Sequence, residues 1–463
     1  MPISVVLNSG EALGNSNPFN AQSGAAKSAA GWRFALRALG HRNYRLFFTG
    51  QSVSLVGTWM TRVATSWLVY RLTHSPFLLG LVTFSGQIPA FFLGPFAGVW
   101  VDRLDRHRVL VATQVLSMVQ SLVLAGLALS GRITVWEIIV LAVLQGCINA
   151  FDMPARQAFV IQMVESREDL SNAIALNSSM VNAARMVGPS LAGIIIAASS
   201  EGWCFLIDGA SYIAVIVSLL AMVVERGEAR QHRVGILHEF VEGLRYVARS
   251  TPIRSILLLL ALVSFAGMPY MALMPIFAGS ILRGGPDTLG FLMAASGVGA
   301  LAGALTLALR RSVLGLGRMI VLADATFGGA LLVFSFSRWM WLSMGLMLFT
   351  GFGMMLQMAS SNTILQTVVE EDKRGRVMSF YSMAFMGAAP IGSLVAGLTA
   401  KYIGAPLTLA IGGSACLAGS LWFALRLPAI RVLVRPIYVR LGIVPEIARG
   451  IQAATALEVP PEE

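Results

Sequence analysis

Apolar residues in this chain come in long runs broken by short polar turns. Residues 78–101 and 109–129 contain no Lys, Arg, Asp or Glu. A helix needs about 20 apolar residues to cross the hydrocarbon core of a bilayer. Between these two runs sits a dense charge cluster, Asp102-Arg103-Leu104-Asp105-Arg106-His107-Arg108, short enough to be a turn whose side chains reach the headgroups. Taken along the chain, the pattern predicts twelve spans. They lie near 46–70, 78–101, 109–130, 135–160, 173–198, 203–224, 254–280, 287–309, 317–337, 340–368, 376–400 and 405–426.

Composition supports a chain solvated mostly by lipid. Hydrophobic residues make up 56% and charged residues 12%, against about 25% charged in an ordinary soluble domain. The net charge of +11 fits arginine-rich loops beside anionic lipid better than a nucleic-acid surface. The three cysteines, Cys147, Cys204 and Cys416, lie inside apolar runs and form neither a disulfide framework nor a metal-ligand spacing.

The charges also orient the map. One set of turns holds Arg71, Arg132, Arg283, Arg338 and Lys401, one cation each. The alternate turns hold clusters: Arg103/Arg106/Arg108, Arg226/Arg230/Arg233/Arg245/Arg249, Arg310/Arg311 and Lys373/Arg374/Arg376. By the positive-inside rule the clustered side is cytoplasmic, and both termini lie there. The expected divisions are a disordered tail with a basic surface helix (1–45), six spans (46–225), a connector (226–252), six more spans (253–427) and a cytoplasmic tail (428–463). In the connector Leu237, Phe240, Val241, Leu244 and Val247 recur at helical spacing opposite Glu239, Glu242 and Arg245, which predicts a surface helix. The halves echo one another. Pro76-Phe-Leu-Leu-Gly80 matches Pro286-Asp-Thr-Leu-Gly290, and Arg185-Met-Val-Gly-Pro189 matches Met386-Gly-Ala-Ala-Pro390.

Gly98-x-x-x-Asp102-Arg103-x-x-Arg106-His107-Arg108 resembles the loop 2–3 signature of the major facilitator superfamily, with Asp105 in place of its second Gly. Gly188-Pro189-Ser-Leu-Ala-Gly193 resembles the antiporter signature of its exporters, with Ala192 in one Gly position. Gly57-Thr-Trp-Met-Thr-Arg62, Asp152-x-Pro-Ala-Arg156-Gln157 and Glu242-Gly-Leu-Arg-Tyr-Val247 are similar to the bacterial exporter branch that includes enterobactin and macrolide efflux proteins. The resemblance implies an all-α membrane protein: twelve transmembrane helices in two pseudo-symmetric six-helix bundles, with the substrate site between them.

A charge in the centre of a span costs about 2.5–3.5 kcal/mol on insertion scales, so each needs a reason. They are Arg62, Asp152, Arg156, Arg185, Asp208 and Asp324. By resemblance, Asp152 pairs with Arg106, and Asp102 sits at the start of span 11 near Arg376. With Gly98 and Arg103 these form a gating latch on the cytoplasmic side. Arg62 and Arg185, with Gln145 and Asn149 of span 4 at the level of Arg62, are candidates for substrate or coupling contacts. Gly188, Pro189 and Gly193 allow close helix packing. Drug–proton antiporters of the superfamily often carry an Arg three residues before the Gln-Gly of span 4, but here Ala142 precedes Gln145-Gly146; either Arg62 or Arg185 replaces it, or the coupling differs.

The expected function is a secondary active exporter of small amphipathic or lipophilic molecules, drug or siderophore type, working by alternating access with proton antiport in the inner membrane. The alternatives are an importer of the same fold and a non-transporting sensor or lipid-handling protein. No Gly-x-x-x-x-Gly-Lys phosphate loop occurs, and the five histidines sit in loops or at helix ends. An enzyme, a cofactor, a metal site and a nucleic-acid partner are therefore not expected. The expected partners are a small-molecule substrate, protons and lipid, with a monomer sufficient.

Overall fold

The structure is a computed structural model that describes residues 36–164, 167–223, 236–310, 312–441 and 443. The side chain of Asp102 lies outside the described residues, as do 1–35 and most of 442–463. The described chain is helical. A 3-10 turn at Arg37–Gly40 leads into α1 (Arg42–Thr73), α2 (Pro76–Arg103), α3 (Arg106–Leu129), α4 (Val135–Met163), α5 (Arg167–Ala198) and α6 (Glu201–Leu220). The connector helix α7 (Ile236–Arg249) follows. Then come α8 (Thr251–Ile281), α9 (Pro286–Ala308), α10 (Leu316–Phe336), α11 (Met340–Val368), α12 (Glu371–Ile403) and α13 (Ala405–Arg440).

Local sequence sets the boundaries. Ser75 accepts from the Leu78 N–H and Pro76 opens α2, a position where its missing donor costs nothing. Asp105 accepts from the N–H groups of His107 and Arg108 and so starts α3 inside the charge cluster. Thr134 and Glu137 form a capping box at α4. Eleven of the described helices are long and apolar enough to cross a membrane. The remaining long helix, α1, has 32 residues, ample length at 1.5 Å each. Its apolar run is interrupted by Gln51, Ser54, Thr58, Thr61 and Arg62, several of which face polar partners inside the bundle.

Within the first half α1 and α3 pack on α6, and α2 and α3 on α4; within the second half α9 and α10 pack on α11, and α10 on α13. Two seams join the halves, α2 against α12 and α5 against α9, and these are equivalent pairs under the pseudo-two-fold. The backbones nearly touch there. A Cβ on Gly80 would lie 2.4 Å from the Ser393 carbonyl oxygen, and one on Gly397 2.7 Å from that of Pro76. A Cβ on Gly193 would lie 2.8 Å from the Pro286 oxygen, and one on Gly290 2.6 Å from that of Pro189. All four sites belong to the end of the bundle opposite the connector, called here the far end. Tyr70 Oη and Ser280 Oγ, 2.7 Å apart, add a bond between halves there. Towards the connector end a Cβ on Gly94, Gly98 or Gly375 would meet nothing within 4 Å. The close backbone contacts between the halves described above are at the far end.

Three elements differ from the sequence-based expectation. Helix α13 does not end near 426; it continues through Pro428 and Pro436 to Arg440. Leu427, Ile430 and Val434 recur on one buried stripe that holds this extension to the core. Helix α8 contains two π-helical stretches, Val263–Gly267 and Phe277–Ile281, around Pro269 and Pro275. The first is wedged where Gly392 and Gly412 approach the carbonyls of Phe265 and Ala266. The basic segment before span 1 is, where described, a 3-10 turn whose Arg37 and His41 hold Asp169 at 2.8 and 3.0 Å.

Helix α7 docks on the first turns of α12. Glu242 pairs with Arg376 at 2.9 Å, Lys373 lies 4.9 Å from the Tyr246 ring centre, and Gly243 lies against Phe380. Leu237 and Phe240 of the expected amphipathic stripe have side chains outside the described residues, as have Arg226, Arg230 and Arg233.

Candidate functional site

Helix α1 places Trp59 one turn before Arg62, on the same face. The Arg62 guanidinium carbon lies 4.6 Å from the indole centre. Arg185 of α5 reaches the same ring at 5.5 Å, and its Nη2 donates to Met354 Sδ of α11 at 3.6 Å. Gly188 explains how two helices bring these groups together. A Cβ there would lie 2.6 Å from Trp59 Cβ and 2.9 Å from the Val56 oxygen, so only glycine lets α5 lie this close to α1, one turn from Arg185. Gly193 and the Pro189 carbonyl lie against Gly290 of α9. The Gly-Pro segment therefore meets a helix of each half at once. Arg62 is solvent-exposed in the middle of a long helix, and the contact from Arg185 to Met354 crosses from one half to the other. Arg62, Trp59, Arg185 and Met354 form one cluster at the boundary between halves.

Below this cluster α1 is fastened to α6 by a buried carboxylate. Asp208 Oδ2 accepts from Thr61 Oγ1 at 2.8 Å and from Ser121 Oγ at 3.0 Å. Gly57 gives it room: a Cβ there would lie 2.6 Å from Asp208 Oδ1. This joins α1, α3 and α6 next to Arg62. The sequence shows Asp208 only as a charge in a span; its partners are ordinary hydroxyl residues that carry no signal. Trp59, also missed, has one: it stands three residues before a mid-span Arg, on one helical face. Asp324 of α10 is fully buried, with no hydrogen-bond partner for either oxygen among the described residues.

Gln145, Asn149, Asp152 and Arg156 form a polar stripe along α4. Gln145 Nε2 donates to Ser117 Oγ and to Asn149 Oδ1, each at 3.1 Å. Asp152 accepts from Thr113 at 3.0 Å and from Gln114 at 2.7 Å, and pairs with Arg156. Gln145 and Asn149 are thus bonded towards α3 and to each other. Arg156, one turn along the same helix, holds the Asp152 carboxylate, an i,i+4 partner that needs no neighbouring loop to bring it close. Arg376, expected beside Asp102, pairs with Glu242 of the connector; the Asp102 side chain lies outside the described residues. Arg103 is exposed and Gly98 faces open space. These groups lie at the connector end.

Among the described residues no group of three or more His, Cys, Asp or Glu could hold a metal ion.

Residues 34–434 match the family described as transmembrane secretion effector, within the major facilitator superfamily. The Staphyloferrin A transporter of Staphylococcus aureus is 26% identical over 374 residues, covering 80% of this chain and 92% of that protein. The Enterobactin exporter EntS of Shigella boydii is 26% identical over 371 residues, covering 78% and 86%. Among solved structures, a bacterial homolog of the human lysosomal transporter Spinster superposes with a TM-score of 0.60 at 13% identity, over 86% of this chain and 98% of that one. The helical architecture, the paired seams between halves and the family match agree: this chain is a multi-pass membrane transporter of the major facilitator superfamily, in its transmembrane secretion effector family.

Proposed function

We propose that this transporter is a secondary active exporter of small amphipathic or lipophilic molecules, driven by proton antiport across the inner membrane. The two bodies that rock are residues 46–225 and 253–427, with 226–252 as a cytoplasmic connector and both termini on the cytoplasmic side. The observation that carries the reading is the cluster of Arg62, Trp59, Arg185 and Met354. It lies on both halves, at a boundary joined at the far end. With the connector end cytoplasmic, as the cation clusters of its turns favour, a cleft opening towards that end faces the cell interior, where an exporter takes up its load. The similarity to an enterobactin exporter favours the outward direction.

In this scheme Arg62 and Arg185 contact the substrate or the coupling ion, and Gln145 and Asn149 extend the polar wall along α4. Gly188, Pro189 and Gly193 set the spacing on which α5 pivots. Gly98, Asp102, Arg103, Arg106, Asp152 and Arg376 form the latch when the connector end closes. Asp152 and Arg376 hold local partners in this conformation.

The test is efflux from loaded cells, run with a panel of siderophores, macrolides and lipophilic cations. At least one compound should leave faster when the protein is expressed. A protonophore should abolish that loss, and so should Arg62→Ala in protein that still reaches the membrane. Accumulation instead of loss would replace export by import, and wild-type efflux by Arg62→Ala would remove the cluster from the mechanism.

A further inference from the structure

We infer that the cleft recognises organic anions: the Arg62 and Arg185 guanidiniums grip a carboxylate or a similar acidic group while the apolar part of the molecule lies against Trp59 and Met354. This rests on the exporter reading only for the claim that the ligand is moved.

Six other arginines, Arg37, Arg71, Arg108, Arg156, Arg374 and Arg376, each stand within ion-pair distance of a carboxylate. Most of these lie near helix ends, where water already stabilises the charge. Arg62 and Arg185 lie in mid-span, where the need for an anion is greatest. Their described partners are an indole face and a thioether, neither of which carries a negative charge. Of the carboxylates in the first half's spans, Asp208 holds Thr61 and Ser121 through Oδ2, its Oδ1 having no hydrogen-bond partner among the described residues, and Asp152 holds Arg156, Thr113 and Gln114.

Two guanidiniums beside one ring also repel each other. Their distances to the indole centre, 4.6 and 5.5 Å, place them within about a Debye length of each other. A bound anion relieves the repulsion and the missing pairing together. Guanidinium forks match carboxylate oxygens two at a time. Arg62 is exposed, so an anion can reach it. Trp59 and Met354 add a flat and a soft apolar surface, which selects an anion with an organic body over a small inorganic one.

The test uses the purified full chain in lipid nanodiscs and three probes: salicylate, its neutral isostere salicylamide and the cation tetraphenylphosphonium. Salicylate should bind at least about tenfold tighter than salicylamide, and tetraphenylphosphonium should be the weakest of the three. Raising sodium chloride from about 50 mM to about 500 mM should weaken salicylate further. Arg62→Gln and Arg185→Gln should each lose about tenfold or more. Arg62→Lys, which keeps the charge without the fork, should fall between. Equal binding of salicylate and salicylamide overturns the proposal, as does tighter binding of the cation or no salicylate binding at millimolar concentration. If the Gln variants do not elute as single species, the probe order in the wild-type protein decides alone. Salicylate that binds in this pattern but is not carried across liposome membranes would defeat the exporter reading and leave this one standing.

Discussion

At the scale of single residues, buried polar groups act here as fasteners. Asp208 is 2% exposed and takes hydrogen bonds from α1 and α3 while sitting on α6. Asp208→Ala strands the Thr61 hydroxyl, while Ser121 keeps the Phe205 carbonyl as acceptor at 3.0 Å. Leaving a buried donor unmet costs about 1–3 kcal/mol, so this variant should lose roughly that much. Asp208→Asn keeps an acceptor in place and should lose less than half as much. Thermal unfolding in detergent orders the two, and equal losses would show that shape rather than hydrogen bonding matters at this site. The sequence made Arg62 and Arg185 visible because a mid-span charge needs a reason. It left Trp59 and Asp208 undervalued, because their role depends on which neighbouring helix faces them. Asp152 has a partner that was open to view in the sequence, Arg156 four residues along the same helix.

At the scale of elements, glycine decides how closely helices approach. The connector helix shows this on a small surface. Its ion pair, Glu242 with Arg376, has both partners part-exposed, at 48% and 30%, and such pairs contribute about 0–1 kcal/mol. Arg376→Ala should therefore leave α7 docked and change the melting transition by less than about 1 kcal/mol. Gly243→Leu should undock it, since a Cβ there already lies 3.0 Å from the Phe380 ring. Limited proteolysis of the segment around α7 should speed up in Gly243→Leu and stay unchanged in Arg376→Ala. Faster cleavage in Arg376→Ala would mean that charge, and not shape, holds the connector. The helices themselves were legible as apolar runs of the right length, and their starts as capping residues. The π stretches of α8 and the extension of α13 past Pro428 were not. Both depend on tertiary packing: Gly392 and Gly412 press on Phe265 and Ala266, and Ile430 and Val434 are buried, which outweighs the usual tendency of proline to end a helix.

At the scale of the whole molecule, the two seams ought to open together if each half moves as one body. Gly290 of α9 lies in one seam, against Pro189, and Ser393 of α12 lies in the other, against Gly80 and only 4% exposed. A cysteine at position 393, in a chain whose Cys147, Cys204 and Cys416 are replaced by Ala, reports opening of its own seam. A membrane-impermeant maleimide added from the far-end side should label it slowly. Gly290→Val crowds the Pro189 carbonyl and so penalises the far-end-closed state. A penalty of about 1.4 kcal/mol shifts that equilibrium about tenfold, and labelling at 393 should rise by a similar factor although the substitution touches only the other seam. Rigid-body rocking requires that coupling. If Gly290→Val leaves labelling at 393 unchanged while Gly80→Val raises it, each seam loosens by itself and the two-body scheme is wrong. The sequence carried the architecture behind this prediction, because twelve apolar runs and alternating cation clusters allow few arrangements. It could not carry how close the helices come. Gly80, Gly193, Gly290 and Gly397 are legible as small residues, and only the packing shows that each faces a backbone carbonyl of the other half.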